Sequence, residues 1–480
     1  MMSPTELIQY FTPPQKEILE QYLCQNHPKG RLSLSGLVGS SLPLLLAPLL
    51  HNRPEHQLFI LPDRETAAFF YHDLEVLLND QNSELADKKV HYFPSSYRRA
   101  YKLEEIDNAN VKLRSEILNK LLTHEDKYLI VTYPDAVSEK LVSNEYLKRN
   151  SFVVKKGELL PIDIFLEFLY EYSYQQEEFV FEPGQFAWRG GIFDIFSYSE
   201  EYPFRIVLSG DNVESIRPFD PGTQLSIKEV DSFHIMPMIS GVEIVEKRVS
   251  FFDFLNGNTS YWLMNIDDIQ LQIDLNFKKV VKEFENLNAT LNHLEPAELC
   301  ITGEAFFHHI LDHQIVEINS KMLESYELEL DFEIQSQNAF AKSFDYLLLE
   351  WINNHENGLC TLFLSESPNQ ISRVTKIISD MLVAYNKNNH TEYTVENLFV
   401  PIDFILHEGF RDEKGKLCIY TDHQFFEKYH RFSIRDRYRK SEQFTLKEIY
   451  DLQPGDYVVH IDHGVGIYRG LEKIEVDGKQ

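Results

Sequence analysis

The sequence predicts an α/β multidomain fold: a parallel sheet with a degenerate phosphate loop, an α+β module, a second small α/β unit and the start of a small β-barrel. Three features of the 480 residues carry this reading. Near the N-terminus, short apolar runs alternate with longer amphipathic stretches, the rhythm of strands joined by crossover helices. A central region changes to short strands divided by glycine and proline. At about 150 residues per domain the chain is too long for one core, and its 43% hydrophobic and 13% aromatic residues can fill several.

Ser3, Pro4 and Glu6 have the spacing of a helix start, with a capping box and proline at the first helical position. The apolar run "RLSLS" then reads as a strand followed by a helix over 40–50. Three more pairs follow: "QLFILP" with a helix over 65–78, "HYFP" with one over 108–122, and "YLIVTYP" with one over 135–142. The turn after the first strand, "SGLVGSSLP", lies where a phosphate-binding loop belongs. A working loop reads G-x-x-x-x-G-K-[ST], with lysine for the phosphates and a hydroxyl for magnesium. Here Gly36 takes the first glycine and Gly39 an internal position, while Ser41 replaces the second glycine, Leu42 the lysine and Pro43 the hydroxyl. Leucine offsets no phosphate charge, and proline offers neither a hydroxyl nor an N–H. The stretch therefore reads as a Gly/Ser turn before a helix, with no ATP chemistry.

From "SFVVKKGELL" onward one helix over 161–172 precedes the strands of "FVFEPGQFAWRGGIFDIF", "YPFRIVLSG" and "VESIRPFDPGTQLS". Gly184, Gly190 and Gly191 mark bulges or turns in them. Residues 227–328 return to mixed strand and helix, and "YWLMNIDD" resembles a buried strand that delivers Asp267 and Asp268 as a Walker B strand would. With Leu42 in the lysine's place these acids have no phosphate-bound magnesium to hold, and a strand-end turn is the reading they receive. A small α/β unit follows, with strands in "GLCTLFLSES" and "KLCIYTD" and a helix over 370–385 between them.

The run "KYHRFSIRDRYRK" interleaves six basic residues with Tyr429, Phe432 and Tyr438. Such a mixture can bind single strands, but in so acidic a chain a solvated linker contacting acidic neighbours is the better reading. The last segment, from "LQPGDYVVHIDHGVG" onward, reads as short strands joined by glycine turns, the start of a barrel that the sequence does not close. His460, Asp462 and His463 could suggest a metal site, but only His460 and Asp462 would share a strand face, with no third or fourth ligand nearby, and the group is read as structural.

The formal charge of −29 disfavours a broad nucleic-acid surface, which needs clustered Lys and Arg to displace counterions, so proteins are the expected partners. Cys24, Cys300, Cys360 and Cys418 stand far apart, without C-x-x-C or nearby His spacing, suggesting neither disulfides nor zinc. The opening "MMSPTELIQYF" lacks a signal-peptide pattern, and "LPLLLAPLL" is too short to span a membrane. A soluble, cytoplasmic protein is expected.

Two stretches, "EPGQFAWRGGIFDIF…PFRIVLSGDNVESIRPFDPGTQLS" and "GDYVVHIDHGVGIYRG", resemble the bacterial transcription-repair coupling factors (Mfd). The order of parts is similar too. The resemblance implies a UvrB-like, helicase-like domain in two halves, 1–137 and 223–328, around an inserted UvrA-binding domain at 138–222. It further implies a small α/β domain of unassigned role at 329–427, a basic linker at 428–453 and the start of an RNA-polymerase-interacting domain at 454–480. In UvrB the phosphate loop is complete; in the coupling factors' UvrB-like module it has decayed, as here. UvrB also clamps damaged DNA with a long aromatic hairpin, and between "HYFP" and "YLIVTYP" this chain has little room for one.

The resemblance also implies roles for particular residues. Arg189 matches the arginine of the family's R-G-G turn, which faces UvrA in UvrB-like proteins, and Phe186 lies in the same stretch. Gln176 stands where the family usually has an arginine. Near the C-terminus Leu471, Lys473 and Ile474 fall on the strand that the family sets against the RNA polymerase β subunit. The implied function is recruitment: linking stalled polymerase to nucleotide-excision repair through UvrA. ATP, magnesium and translocation on double-stranded DNA are expected only of a motor C-terminal to this segment, which is itself read as no enzyme. The alternative is a UvrB-like ATP-dependent helicase subunit; a third reading has the UvrB-like half fold back and restrain the motor.

Overall fold

The structure, a computed structural model, describes residues 3–422 apart from 26, 51–52, 82, 84–87, 98–100, 102–107, 124–125, 144, 146–150, 173, 199, 201, 236–247, 256–257, 288–293 and 338–342, together with 424, 457–460 and 464–467. The alternating apolar runs of the first third become strands of a seven-stranded sheet. Its order runs Leu328–Asp331, Arg31–Ser35, Gln314–Ile318, Thr259–Met264, His56–Ile60, Leu129–Thr132, Val90–Tyr92, and every neighbouring pair is parallel. His56–Ile60 and Leu129–Thr132 are buried at every position, as strands covered on both faces must be. Trp262, on the central strand Thr259–Met264, is among the largest fully buried side chains; it stacks on Phe59 and donates its ring N–H to Gln57 Oε1 at 2.7 Å.

Strands from residues 31–132 and from residues 259–331 share this sheet, so the chain leaves it after Thr132, builds a second unit and returns at Thr259. The second unit is a five-stranded sheet in the order Asn212–Pro218, Phe204–Ser209, Ile192–Ile195, Gln185–Arg189, Gln175–Gln176. Helix Ile162–Glu171 covers one face: its buried Phe165 meets Phe193 edge-on, and Tyr170 meets Phe186. Gly190, at φ +60°, makes the two-residue turn between Gln185–Arg189 and Ile192–Ile195, where a side chain would be strained.

A third unit carries a four-stranded sheet ordered Val400–Ile402, Cys360–Leu364, Leu417–Thr421, Phe410–Asp412. Alternation divides its side chains between two cores. Phe363, Cys418 and Tyr420 pack with Leu347, Trp351, Val374 and Ile378 of helices Phe344–Glu356 and Pro368–Asn389. Leu362, Leu364, Leu417 and Ile419 join the core of the large unit. The small sheet thus has its own helices on one face only, and the large unit covers the other.

The N-terminal helix Pro4–Tyr10 has the capping box that Ser3 and Glu6 predict. Two helices are shorter than their sequence suggests. The helix expected over 40–50 runs only from Ser41 to Leu46, because Pro48 has no N–H to continue it. The one expected over 135–142 stops at Ser138, and Leu141–Val142 instead pairs as a short strand with Arg248–Val249. Asp267 and Asp268 sit exposed in the first turn of helix Ile266–Glu285, just past the strand end, where the helix dipole favours acids. Strands Tyr457–His460 and Gly464–Ile467 form an antiparallel pair. Asp462, His463, Leu471, Lys473, Ile474 and the basic run at 428–453 lie outside the described residues. Among the described residues, no helix is long and apolar enough to cross a membrane.

Candidate functional site

Strand pairing decides which residues of the second unit share a face. Arg189 is paired with Ile192 and Ala187 with Asp194, so these four point to the face away from helix Ile162–Glu171. Asp194, only 1% exposed, is the anchor there. Its Oδ2 accepts from Arg189 at 2.9 Å and from Arg205 at 2.8 Å, and its Oδ1 accepts from Arg205 Nε at 2.7 Å. The hydrogen bonds to Asp194 hold the Arg205 guanidinium above its ordinary pKa. Arg189 keeps 45% of its side chain in solvent, and its guanidinium lies over the Phe179 ring at 5.0 Å. An arginine held by a buried carboxylate and an aromatic face loses little freedom on meeting a partner, and its remaining donors face outward.

Phe179 and Ile192 are themselves exposed beside Arg189. Trp188, also exposed, points to the opposite face, where it stacks on Phe193 and donates its ring N–H to Gly190 O at 2.7 Å. The hairpin tip thus presents an arginine among aromatic and branched side chains, a composition enriched at protein interfaces.

Sequence reasoning grouped Gln176 and Phe186 with Arg189; the register separates them. Gln176 is paired with Phe186, three positions from Arg189 along the same strand, and so lies on the helix-covered face. Gln176 is exposed and accepts from the Tyr170 hydroxyl at 2.7 Å. Phe186 is completely buried, so it shapes the module from within and offers a partner no surface. Asp194 was missed, although an acid within "GGIFDIF", three residues past a tight turn, is the signal that marks it.

The phosphate loop is a second site, and it is full. Gly36 and Gly39 take φ of +68° and +53°, so the glycines still serve a tight turn. A side chain at Gly36 would collide with Asp331 and Glu333, and a Cβ at Gly39 would lie 2.9 Å from Gly409 O. Ser41 Oγ closes the turn on itself, accepting from Val38 N at 3.0 Å and donating to Val38 O at 2.6 Å. Leu42 and Pro43 are buried in helix Ser41–Leu46. Ser40 N–H, of the kind that would meet a phosphate, donates instead to Glu408 O at 3.0 Å. With no cation and no open cradle, the loop is expected to give no saturable heat on calorimetric titration with Mg·ATP; a binding isotherm that saturates would contradict this.

Comparison with known proteins fits this division. A family model described as the UvrB interaction domain matches residues 152–240, and one described as the CarD-like/TRCF RID domain matches 452–480. The transcription-repair-coupling factor of Bacillus subtilis (strain 168) is 23% identical over 510 residues, covering 93% of this chain and 42% of the relative. That of Borreliella burgdorferi is 23% identical over 96% of this chain and 41% of its own length. That of Staphylococcus epidermidis is 24% identical over 78% of this chain.

The chain matches the N-terminal part of the transcription-repair coupling factors.

It spans about two fifths of the length of the first two of these coupling factors, 42% and 41%. The first family match covers all the strands of the five-stranded sheet, and so Arg189, Asp194 and the hairpin tip between them. Of the second match, only the paired strands Tyr457–His460 and Gly464–Ile467 are among the described residues.

Proposed function

We propose that this chain is the recruitment half of a transcription-repair coupling factor, binding UvrA through the five-stranded module and RNA polymerase through its C-terminal segment. The observation that carries the reading is Arg189, braced by buried Asp194 and Phe179 at an exposed hairpin tip, within the region that matches the UvrB interaction domain. In this reading 1–137 and 223–328 are the two halves of a UvrB-like, helicase-like scaffold, and 138–222 is the partner-binding insert. The unit at 329–427 stiffens that scaffold, and 428–453 is a linker. Leu471, Lys473 and Ile474 would meet the polymerase β subunit by adding to a sheet edge, a mode in which main-chain hydrogen bonds give affinity and side chains select. ATP-driven movement on double-stranded DNA belongs to a motor elsewhere in the full-length protein. The UvrB-like helicase alternative has less support, because Leu42 and Pro43 replace the chemistry it needs and protein fills the loop.

The test is titration of UvrA with this chain and with its Arg189→Ala variant. The variant keeps the Asp194–Arg205 pair, and so its fold, and is expected to bind several-fold more weakly, on the order of 1 kcal/mol or more. Arg189→Lys should recover only part of this, since an ammonium cannot reproduce the planar fork. Unchanged affinity in a folded Arg189→Ala protein would remove Arg189 from the interface.

A further inference from the structure

The small α/β unit meets the large one through a compact polar knot at the phosphate-loop turn. Asp73, on helix Arg64–Leu77, is 2% exposed and accepts on both carboxylate oxygens: from Ser40 Oγ at 2.5 Å and from His407 N–H at 2.8 Å. Ser40 Oγ in turn accepts from Glu408 N–H at 3.0 Å, while Ser40 N–H donates to Glu408 O, also at 3.0 Å. The His407 ring stacks on Phe69, and Phe410 meets Phe11 edge-on at 5.3 Å. Gly39 leaves the space into which the Gly409 carbonyl fits. Every donor and acceptor in this knot comes from the phosphate-loop turn, from Asp73 or from the backbone of 407–408.

We propose that the decayed phosphate loop is an internal docking site, whose ligand is the main chain of residues 407–409, and that Asp73 is the acceptor that locks the small unit to the large one. The chemistry of the old site explains the reuse. A turn N–H that would meet a phosphate oxygen can donate to a carbonyl oxygen instead, as Ser40 N–H does to Glu408 O. Leucine at position 42 suits the filled site, because that position is buried and a cation there would have to be desolvated. The small sheet has helices of its own on one face only, and the dock holds its other face on the large core. The two units therefore behave as one rigid arm. This inference does not depend on what the five-stranded module binds.

The test is amide hydrogen exchange on the 480-residue chain, comparing Asp73→Ala, Gly39→Ala and Gly358→Ala with the unaltered protein. Gly39→Ala drives a methyl against the Gly409 carbonyl. Gly358, at φ +72° with nothing within 4 Å of its added Cβ, carries a similar backbone penalty without touching the dock. The amides of Ser40, His407 and Glu408 should exchange at least tenfold faster in Asp73→Ala and in Gly39→Ala. They should be unchanged in Gly358→Ala, and the central strand Thr259–Met264 should stay protected throughout. If Asp73→Ala does not fold, Gly39→Ala decides. Protection at 407–408 that survives both substitutions, or that is absent in the unaltered chain, would overturn the proposal.

Discussion

Asp194→Ala is expected to unfold the five-stranded module, with a loss toward the lower end of about 3–5 kcal/mol. The carboxylate is 1% exposed and takes three hydrogen bonds from two arginines. Removing it leaves Arg205 facing an apolar hollow beside Phe219, with its bidentate partner gone. Arg205 keeps 25% of its side chain exposed, which lets water recover part of the loss and sets the lower end of the range. Arg189, nearly half exposed, simply swings into solvent. Asp194→Asn separates charge from shape: it fills the same volume but turns an N–H₂ toward one guanidinium, so it should fall between the two proteins. The readout is hydrogen exchange of Phe204–Ser209 and Ile192–Ile195, with the large sheet as internal reference. Exchange in Asp194→Ala that matched the unaltered chain would mean that the arginines find other partners.

Trp262→Ala should cost the large unit about 3–5 kcal/mol from the lost indole alone. The residue sits on the central strand of seven, 1% exposed and stacked on Phe59 at 5.3 Å. Its loss also leaves the 3% exposed Gln57 without the indole donor at Oε1, a further penalty of about 1–3 kcal/mol where the group cannot reach water. Trp262→Phe isolates that second part, because it keeps most of the ring while removing the N–H. Denaturant unfolding followed by tryptophan-independent circular dichroism measures both variants. Because the small sheet shares the large core, both units should lose protection together; separate transitions would argue against a common core.

Much of the scaffold could be read from the chain, and the reasons are local. Strands such as "QLFIL" and "YLIVT" are continuous apolar runs because both faces are covered, and the gaps between them fit crossover helices. The two-glycine turn after Arg189 marks a hairpin whatever surrounds it. What the sequence could not give depends on register or on distance along the chain. Gln176 and Arg189 look like neighbours in one motif, yet strand pairing turns them to opposite faces, and a shift of one position is enough to do so. Leu42 and Pro43 stand where a working phosphate loop has its lysine and hydroxyl, but they do not say what fills the turn. The contacts that do so join residues 334 and 368 positions apart, and no local pattern records them.

The most direct measurement is competition for UvrA between this chain and UvrB, since the module that carries Arg189 matches a UvrB interaction domain. With labelled UvrB bound to UvrA, rising concentrations of this chain should displace the label, and Arg189→Ala should need several-fold more protein for the same displacement. A stable complex holding UvrA, UvrB and this chain together, or displacement that Arg189→Ala leaves unchanged, would contradict recruitment through this face.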